Sequence, residues 1–370
     1  MATERDTRHL LRTIELAEEA RGQTSPNPLV GAVLTKGDRV IGEGLHLAAG
    51  EPHAERAALA ACEEDPAGAT LYVSLEPCCH HGLTPPCTDA ILEAGISRVV
   101  IASDDPTRKA AGRSAGILRD EGVKVETVDG ELSAAARMLN QPFRKHAKTG
   151  RPLVILKSAM TLDGKVATSI GDSQWISGEF SRARAHRWRA EADAVAVGIG
   201  TARADDPQLT ARVEGVARQP RRIVFDTEAS LPVASQLIRS SAEVPVIVVV
   251  SRAAKRTATE ALRAAGAEIV VGTGENEAAR VASALDELGG MEIQSLLLEG
   301  GPHLAGAFFD ADEIDEMRVF VAPLVAGGLQ AKVPVEGQGV EMLSDARRAV
   351  HSSVECIGDD VLITARLKEY

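Results

Sequence analysis

Three potential metal ligands spaced along the chain, His53, Cys78 and Cys87, constrain this sequence more than any other feature. They occur as His53-Ala54-Glu55, Pro77-Cys78 and Pro86-Cys87. If they hold one ion, the segments that carry them must meet at a point. A structural zinc usually takes four protein ligands, whereas a catalytic zinc keeps one position for water. Three ligands match the second case, and the metal then brings its water toward a pKa of ~7. Glu55, two residues past the histidine, is not needed as a ligand and is the right group to carry protons for that water. His53 and Cys87 fall near predicted helix starts, where helix N-termini stabilise thiolates and metal-bound anions. Cys79 and His80 are rival ligands; Cys78 is favoured because it directly follows the proline. The plainer readings are a structural zinc, or ordinary core residues with no metal.

Composition limits the rest. A chain of 370 residues is comfortable for two domains. With 44% hydrophobic and 25% charged residues it reads as an ordinary globular protein. The formal net charge of -12 argues against a broad grip on nucleic acid, and 3% aromatics argues against base-stacking platforms. The 5 cysteines, Cys62, Cys78, Cys79, Cys87 and Cys356, are odd in number and clustered. They do not read as a disulfide framework, so a reducing cytoplasm is expected. Met1 to Arg12 has no signal-peptide core, and no apolar run reaches membrane-spanning length, so no membrane partner is expected.

Periodicity predicts helices over 6–21, 52–62, 86–94, 110–121 and 131–148, and strands over 29–35, 39–41, 70–74, 98–102 and 123–127. Thr149-Gly150-Arg151-Pro152 breaks the pattern, which places a domain boundary between residues 1–149 and 150–370. A second series follows, with strands at 153–159, 194–198, 222–226, 244–250, 268–271, 295–298, 319–322 and 361–366. Its helices are expected at 179–191, 253–265, 276–288 and 302–309. Strands alternating with helices imply an α/β layer structure in both halves.

The histidine-x-glutamate and proline-cysteine spacing matches the signature of zinc deaminases acting on nucleobases. Further segments narrow the match: Thr24-Ser25-Pro26-Asn27-Pro28-Leu29-Val30-Gly31, Gly42-Glu43-Gly44-Leu45-His46 and Leu75-Glu76-Pro77-Cys78-Cys79-His80-His81-Gly82. In the second half come Lys157-Ser158-Ala159-Met160-Thr161-Leu162-Asp163-Gly164-Lys165, Ser173-Gln174-Trp175-Ile176-Ser177, Gly198-Ile199-Gly200-Thr201 through Pro207, and Glu299-Gly300-Gly301. Over nearly its whole length the chain resembles the bifunctional riboflavin-biosynthesis deaminase–reductases.

That resemblance implies a cytidine-deaminase-like three-layer domain followed by a dihydrofolate-reductase-like domain. It implies zinc-dependent deamination of 2,5-diamino-6-(ribosylamino)-4(3H)-pyrimidinone 5'-phosphate, then NADPH reduction of the ribosyl group to ribityl. It implies one zinc per chain, NADPH in the second domain, a small-molecule substrate, and a homo-oligomer. By the same resemblance Asn27, His46 and His80 contact the deaminase substrate. Ser173, Arg189, Leu209, Arg212 and Glu299 contact the reductase substrate, the two arginines at its phosphate end. Ala159, Trp175, Thr201, Asp205 and Thr227 border the cofactor, with Gly301, Pro302, His303, Leu304, Ala305, Gly306 and Ala307. From the residues alone, Glu299-Gly300-Gly301-Pro302 is a strand-to-helix turn that lets a phosphate approach backbone N–H groups. Gly198-Ile199-Gly200-Thr201 is a second candidate for close cofactor approach. Lys157 and Asp205 are plausible polar partners near the reacting sugar.

The chain departs from the family pattern at Leu83, where a cation is usual, at Asp104-Asp105-Pro106-Thr107-Arg108-Lys109, and at Ser114, where glycine is usual. Arg108 or Lys109 is therefore expected to supply the missing positive charge for the substrate phosphate. Three other readings stand beside this one: a deaminase for a different nucleobase, a zinc-bearing module without catalysis, and a chain in which only the reductase is active. Intact Glu55 and the reductase-like second half argue against the first two.

Overall fold

The computed structural model describes residues 3–82 and 85–370. Leu83, the first departure named above, lies outside the described residues. The chain divides into two compact units, residues 1–149 with Tyr370, and residues 150–369.

The first unit runs α1 (Glu4–Glu19), β1 (Gly31–Lys36), β2 (Arg39–Leu45), α2 (Ala54–Ala60), β3 (Thr70–Val73), α3 (Cys87–Glu93), β4 (Arg98–Ile101), α4 (Arg113–Asp120), β5 (Lys124–Thr127), α5 (Glu131–Leu139) and α6 (Gln141–Thr149). Its sheet has the order β2-β1-β3-β4-β5. The β1–β2 and β1–β3 pairs are antiparallel, and β3, β4 and β5 are mutually parallel. Successive strand side chains point to opposite faces, and the core divides accordingly. Ala32, Leu34, Leu71, Val73, Val99 and Ile101 pack on one face with Ala54 and Ala58 of α2 and Ile91 of α3. Val33, Tyr72 and Val100 pack on the other with Leu10 and Leu16 of α1. This is the expected three-layer domain.

The single helix expected over 131–148 is two helices. Asn140 interrupts it: its side chain accepts from Leu29 N–H at 2.8 Å and donates to the Leu29 carbonyl at 2.9 Å. Pro142 then sits in the first turn of α6, where its missing N–H costs least. A buried polar clasp made 111 residues away leaves no trace in local periodicity.

The second unit runs β6 (Leu153–Thr161), α7 (Glu179–Glu191), β7 (Ala194–Gly198), α8 (Ile199–Asp205), β8 (Arg221–Phe225), α9 (Gln236–Arg239), β9 (Val246–Ser251), α10 (Arg256–Ala264), β10 (Glu268–Gly272), α11 (Glu277–Gly290), β11 (Ser295–Leu298), α12 (Pro302–Asp310), β12 (Glu316–Ala322), β13 (His351–Ile357) and β14 (Asp360–Arg366). Its sheet has the order β10-β9-β8-β7-β11-β6-β12-β14-β13. Pairing is parallel from β10 to β12 and antiparallel at β14 and β13. Val154, Leu156, Ala194, Ala196, Leu296 and Leu298 line one face against α11 and α12. The alternate residues Val195, Val197, Val224, Val248 and Leu297 are buried as well. Burial on both faces gives the near-continuous apolar runs of a parallel sheet. The short helices α8 and α9 and strand β13 were not expected. The first two are under two turns long, and β13 is exposed along all but its last residue.

Candidate functional site

In the first unit the site is built on two helix starts. His53 is the N-cap of α2, with extended backbone, and Cys87 opens α3. Two glycines of β2 set the position of α2. A Cβ on Gly44 would come within 2.5 Å of the Ala54 carbonyl oxygen, and one on Gly42 within 2.9 Å of Cys62 Sγ. Only glycine lets the helix backbone lie flush on the strand. His53, Cys78 and Cys87 then converge, their ligand atoms within 4.8 Å of one another. His53 Nδ1 is 3.3 Å from Cys87 Sγ and 3.4 Å from Cys78 Sγ. Standard Zn–N and Zn–S lengths in a tetrahedron separate those atoms by roughly 3.6 Å, so the three donors are spaced for zinc. The rival Cys79 turns away, its thiol donating to the Lys109 carbonyl at 3.7 Å.

The electrostatics favour a thiolate. Cys78 Sγ accepts the Cys87 backbone N–H at 3.3 Å, at the positive start of a helix. A hydrogen bond from the Cys87 thiol, with help from His53, pulls the Cys78 thiol down to about 4. The same bond, together with burial, pushes the Cys87 thiol up. Glu55 is buried one position into α2. Burial, and then the charge of Cys78, raise its pKa above the usual carboxylate range.

Around this centre His46 is buried and meets His53 edge-on at 5.3 Å between ring centroids. His46 Nδ1 donates to the Pro52 carbonyl at 3.1 Å, which leaves Nε2 to accept from Asn27 Nδ2 at 3.0 Å. Burial lowers its pKa, which keeps this neutral tautomer. His80 Nδ1 is buried with no hydrogen-bond partner among the described residues. The departure at Ser114 has a use: its hydroxyl donates to Glu76 at 2.6 Å, and Gly112 N–H donates to the same carboxylate at 2.9 Å. The clasp holds Gly112 and Ser114, and Arg108 and Lys109 just before it are exposed.

In the second unit two cavities open at the carboxyl ends of the parallel strands, where open α/β sheets bind ligands. The first, about 620 Å³, is lined by Thr201, Thr227, Gly301, Pro302, His303, Leu304 and Ala307, among others. The second, about 610 Å³, includes Lys157, Ala159, Ser173, Trp175, Asp205, Leu209, Arg212 and Glu299. Of the residues named from the sequence, Ala305 and Gly306 line neither. Ala305 is fully buried in the core, and Gly306 backs onto the chain at Glu336 and Gly337. Leu209 is buried in the left-handed region at φ 54, a strained conformation for leucine, at the cavity wall.

Arg189 also lines the second cavity, but its planar fork is taken by Glu299: Nε donates to Oε1 at 2.6 Å and Nη2 to Oε2 at 2.9 Å. Burial pushes Glu299 up, yet the Arg189 charge and hydrogen bonds, with Lys157, hold its carboxyl below the usual range. Arg212 is exposed at the same cavity, its Nη2 3.0 Å from His186 Nε2. Burial pulls the Lys157 ammonium below the usual lysine value, against the attraction of Glu299. Two lining residues, His186 and Lys332, were not singled out from the sequence. Their neighbours carry no motif, and Lys332 lies in an irregular segment between β12 and β13.

These features define a class, a zinc-type deaminase domain joined to a nucleotide-type α/β reductase. The description "Cytidine and deoxycytidylate deaminase zinc-binding region" matches residues 3–103, and "RibD C-terminal domain" matches residues 152–363. The riboflavin biosynthesis protein RibD of Actinobacillus pleuropneumoniae is 42% identical over 359 residues, covering 97% of this chain and 94% of that protein. The structure of Acinetobacter baumannii RibD, form 2, superposes with a TM-score of 0.86 at 34% identity, over 99% of both chains. A Thermotoga maritima diaminohydroxyphosphoribosylaminopyrimidine deaminase/5-amino-6-(5-phosphoribosylamino)uracil reductase gives 0.85 at 34% identity, over 98% of this chain and 99% of that one. The chain belongs to the RibD family of riboflavin biosynthesis proteins, bifunctional enzymes that deaminate and reduce. Among the described residues no helix is long and apolar enough to cross a membrane.

Proposed function

We propose that the first unit removes the 2-amino group of 2,5-diamino-6-(ribosylamino)-4(3H)-pyrimidinone 5'-phosphate. The second unit, in this reading, reduces the ribosyl group of the deaminated product with NADPH, giving 5-amino-6-(ribitylamino)uracil 5'-phosphate. The carrying observation is the His53–Cys78–Cys87 triangle with the non-ligating carboxylate of Glu55 beside it. His53, Cys78 and Cys87 would hold zinc, which would supply a water acidified toward a pKa of ~7. Glu55 would accept a proton from the attacking water and return it to the amino group that leaves as ammonia; its raised pKa suits a group that must both accept and give. Asn27, oriented by His46, offers its amide oxygen to the pyrimidine edge, and His80 offers its unpartnered Nδ1. Arg108 and Lys109 supply positive charge toward the substrate phosphate.

In the second unit the 620 Å³ cavity takes the dinucleotide and the 610 Å³ cavity takes the phosphorylated sugar. NADPH supplies the hydride. Hydride delivered to the sugar C1' would replace the bond from C1' to the ring oxygen, which breaks, and the released oxygen would take a proton to become a hydroxyl of the ribityl chain. Lys157, whose pKa is lowered by burial, can release such a proton, and Glu299 is fixed by Arg189 to hold sugar hydroxyls. Arg212 meets the phosphate. We place the domain boundary at residues 149/150 and the enzyme in the cytoplasm, in keeping with five free cysteines. A homo-oligomer is supported by the exposed edge strand β13, where Val354 is 70% exposed, and by Met342, Leu343 and Val350 before it, each more than 60% exposed.

The test is to assay the two half-reactions separately. Ammonia release from the diaminopyrimidine phosphate and NADPH oxidation with the deaminated phosphoribosyl substrate should both occur in one chain. Ammonia release from cytidine instead would point to a different nucleobase.

A further inference from the structure

The two cavities of the second unit meet at a common wall, and one side chain of that wall has no task in the reading above. Five residues line both: Gly200, Thr201, Gly301, Pro302 and Lys332. The first four lie at the starts of α8 and α12, and Lys332 alone carries charge. Its backbone is fixed by an isolated antiparallel bridge to Ala167. Val166 N–H donates to the Lys332 carbonyl at 2.9 Å, and Lys332 N–H donates to the Ala167 carbonyl at 3.0 Å. The segment around it is moored on both sides. Ala326 and Gly327 N–H donate to Asp163 at 3.0 and 2.7 Å, and Glu336 N–H donates to the Pro302 carbonyl at 3.0 Å. Yet the Lys332 ammonium itself has no hydrogen-bond or ion-pair partner among the described residues.

The surrounding charges give that free cation a meaning. The first cavity also presents Asp226, Glu228, Glu277 and Glu336, which repel a polyanion. Its two arginines are engaged: Arg203 donates to the Ser230 carbonyl at 2.7 Å, and Arg280 faces Glu277 at 3.9 Å. From β10 to β11 the cavity crosses four strand spacings, ~19 Å, a length that suits an extended dinucleotide. Its reacting ring would sit by the shared wall, where it could touch a ligand in the second cavity, and its diphosphate would lie next along the molecule, within reach of a long side chain rooted in that wall.

We propose that Lys332 binds the dinucleotide, its ammonium pairing with the diphosphate bridge at the wall between the two cavities. A compact charge on a flexible stem, set on a pinned backbone, suits phosphate oxygens. The inference rests on the reading of this unit as a dinucleotide-dependent reductase and adds a residue and a ligand group to it.

The experiment uses the full chain and titrates NADPH by its fluorescence. Lys332→Ala should raise the Kd about tenfold, the effect of one charge-assisted contact, and Lys332→Arg should restore most of it. Adenosine 2'-monophosphate, which carries the adenosine half without either phosphate of the bridge, should bind the alanine variant as it binds the unaltered chain. An unchanged Kd for NADPH in Lys332→Ala overturns the proposal. Equal weakening of the monophosphate also overturns it, because the lysine would then act elsewhere. If the unaltered chain fails to bind NADPH while deaminating normally, the cofactor reading falls, and this inference falls with it.

Discussion

The two sites solve the problem of assembly differently. The deaminase centre gathers its ligands from residues 53 to 87, on two helix starts and one loop. The reductase centre draws its wall from residue 157 to residue 334, at the ends of several strands. The first is compact and governed by one coordination geometry. The second is diffuse and governed by a buried ion pair, Arg189–Glu299, whose partners lie 110 residues apart. A compact centre should fail all at once when one member changes. A diffuse one should fail by degrees, except at its buried pair.

The largest effect is expected at Glu55. Glu55→Gln should keep zinc at one per chain while ammonia release falls by about 10²–10⁴, the range for a lost general acid–base. Reduction should be untouched. Metal analysis beside both half-assays checks this, and persistent ammonia release would remove Glu55 from its role. The next test concerns stability. Glu299→Ala strands Arg189, a side chain 16% exposed, and breaking such a buried pair costs about 3–5 kcal/mol. Denaturant unfolding should show the second unit weakened and the first unchanged. A smaller loss would make the pair replaceable and the contrast between the sites weaker.

A third prediction concerns the first unit and pH. Arg98, donating to Asp6 at 2.7 Å, holds that carboxyl well below its usual range against the opposing effect of burial; Thr3 and Tyr72 add to the bond. A depressed folded value means the stabilisation is present above the unfolded value of ~3.9 and is lost as pH falls below it. Asp6→Asn should therefore cost on the order of 2 kcal/mol near neutrality and less as pH drops toward 3. Thermal melts across that window would reveal it. The smallest effect is expected for the double change Arg108→Ala, Lys109→Ala. It should raise KM for deamination a few-fold, more at low salt, with kcat preserved. An unchanged KM would leave the substrate phosphate to other residues.

Much of the fold was legible because burial writes a period into the sequence. The apolar run Leu71-Tyr72-Val73 falls in a strand expected over 70–74, and the structure buries all three, on opposite sides of one sheet. The deaminase centre was legible for another reason, since few chemistries need histidine, glutamate and two proline-cysteine pairs at that spacing. What escaped depends on distance. The Asn140 clasp that splits the helix after residue 139, the pairing of Arg189 with Glu299, and the position of Lys332 at a wall shared by two cavities all join residues far apart in the chain. Arg189 was expected at the phosphate end of the substrate from resemblance, and nothing local reveals that its fork already has an occupant.

The pair Gly42 and Gly44 has an implication for how this protein can change. Because α2 rests on β2 through main-chain contact, the angle at which His53 is presented does not depend on the bulk of any interdigitating side chain. Apolar substitutions elsewhere in the domain can drift in size and shape, trading thermal tolerance up or down, without retuning the metal-binding corner. Adding a single methyl group at either glycine would shift it.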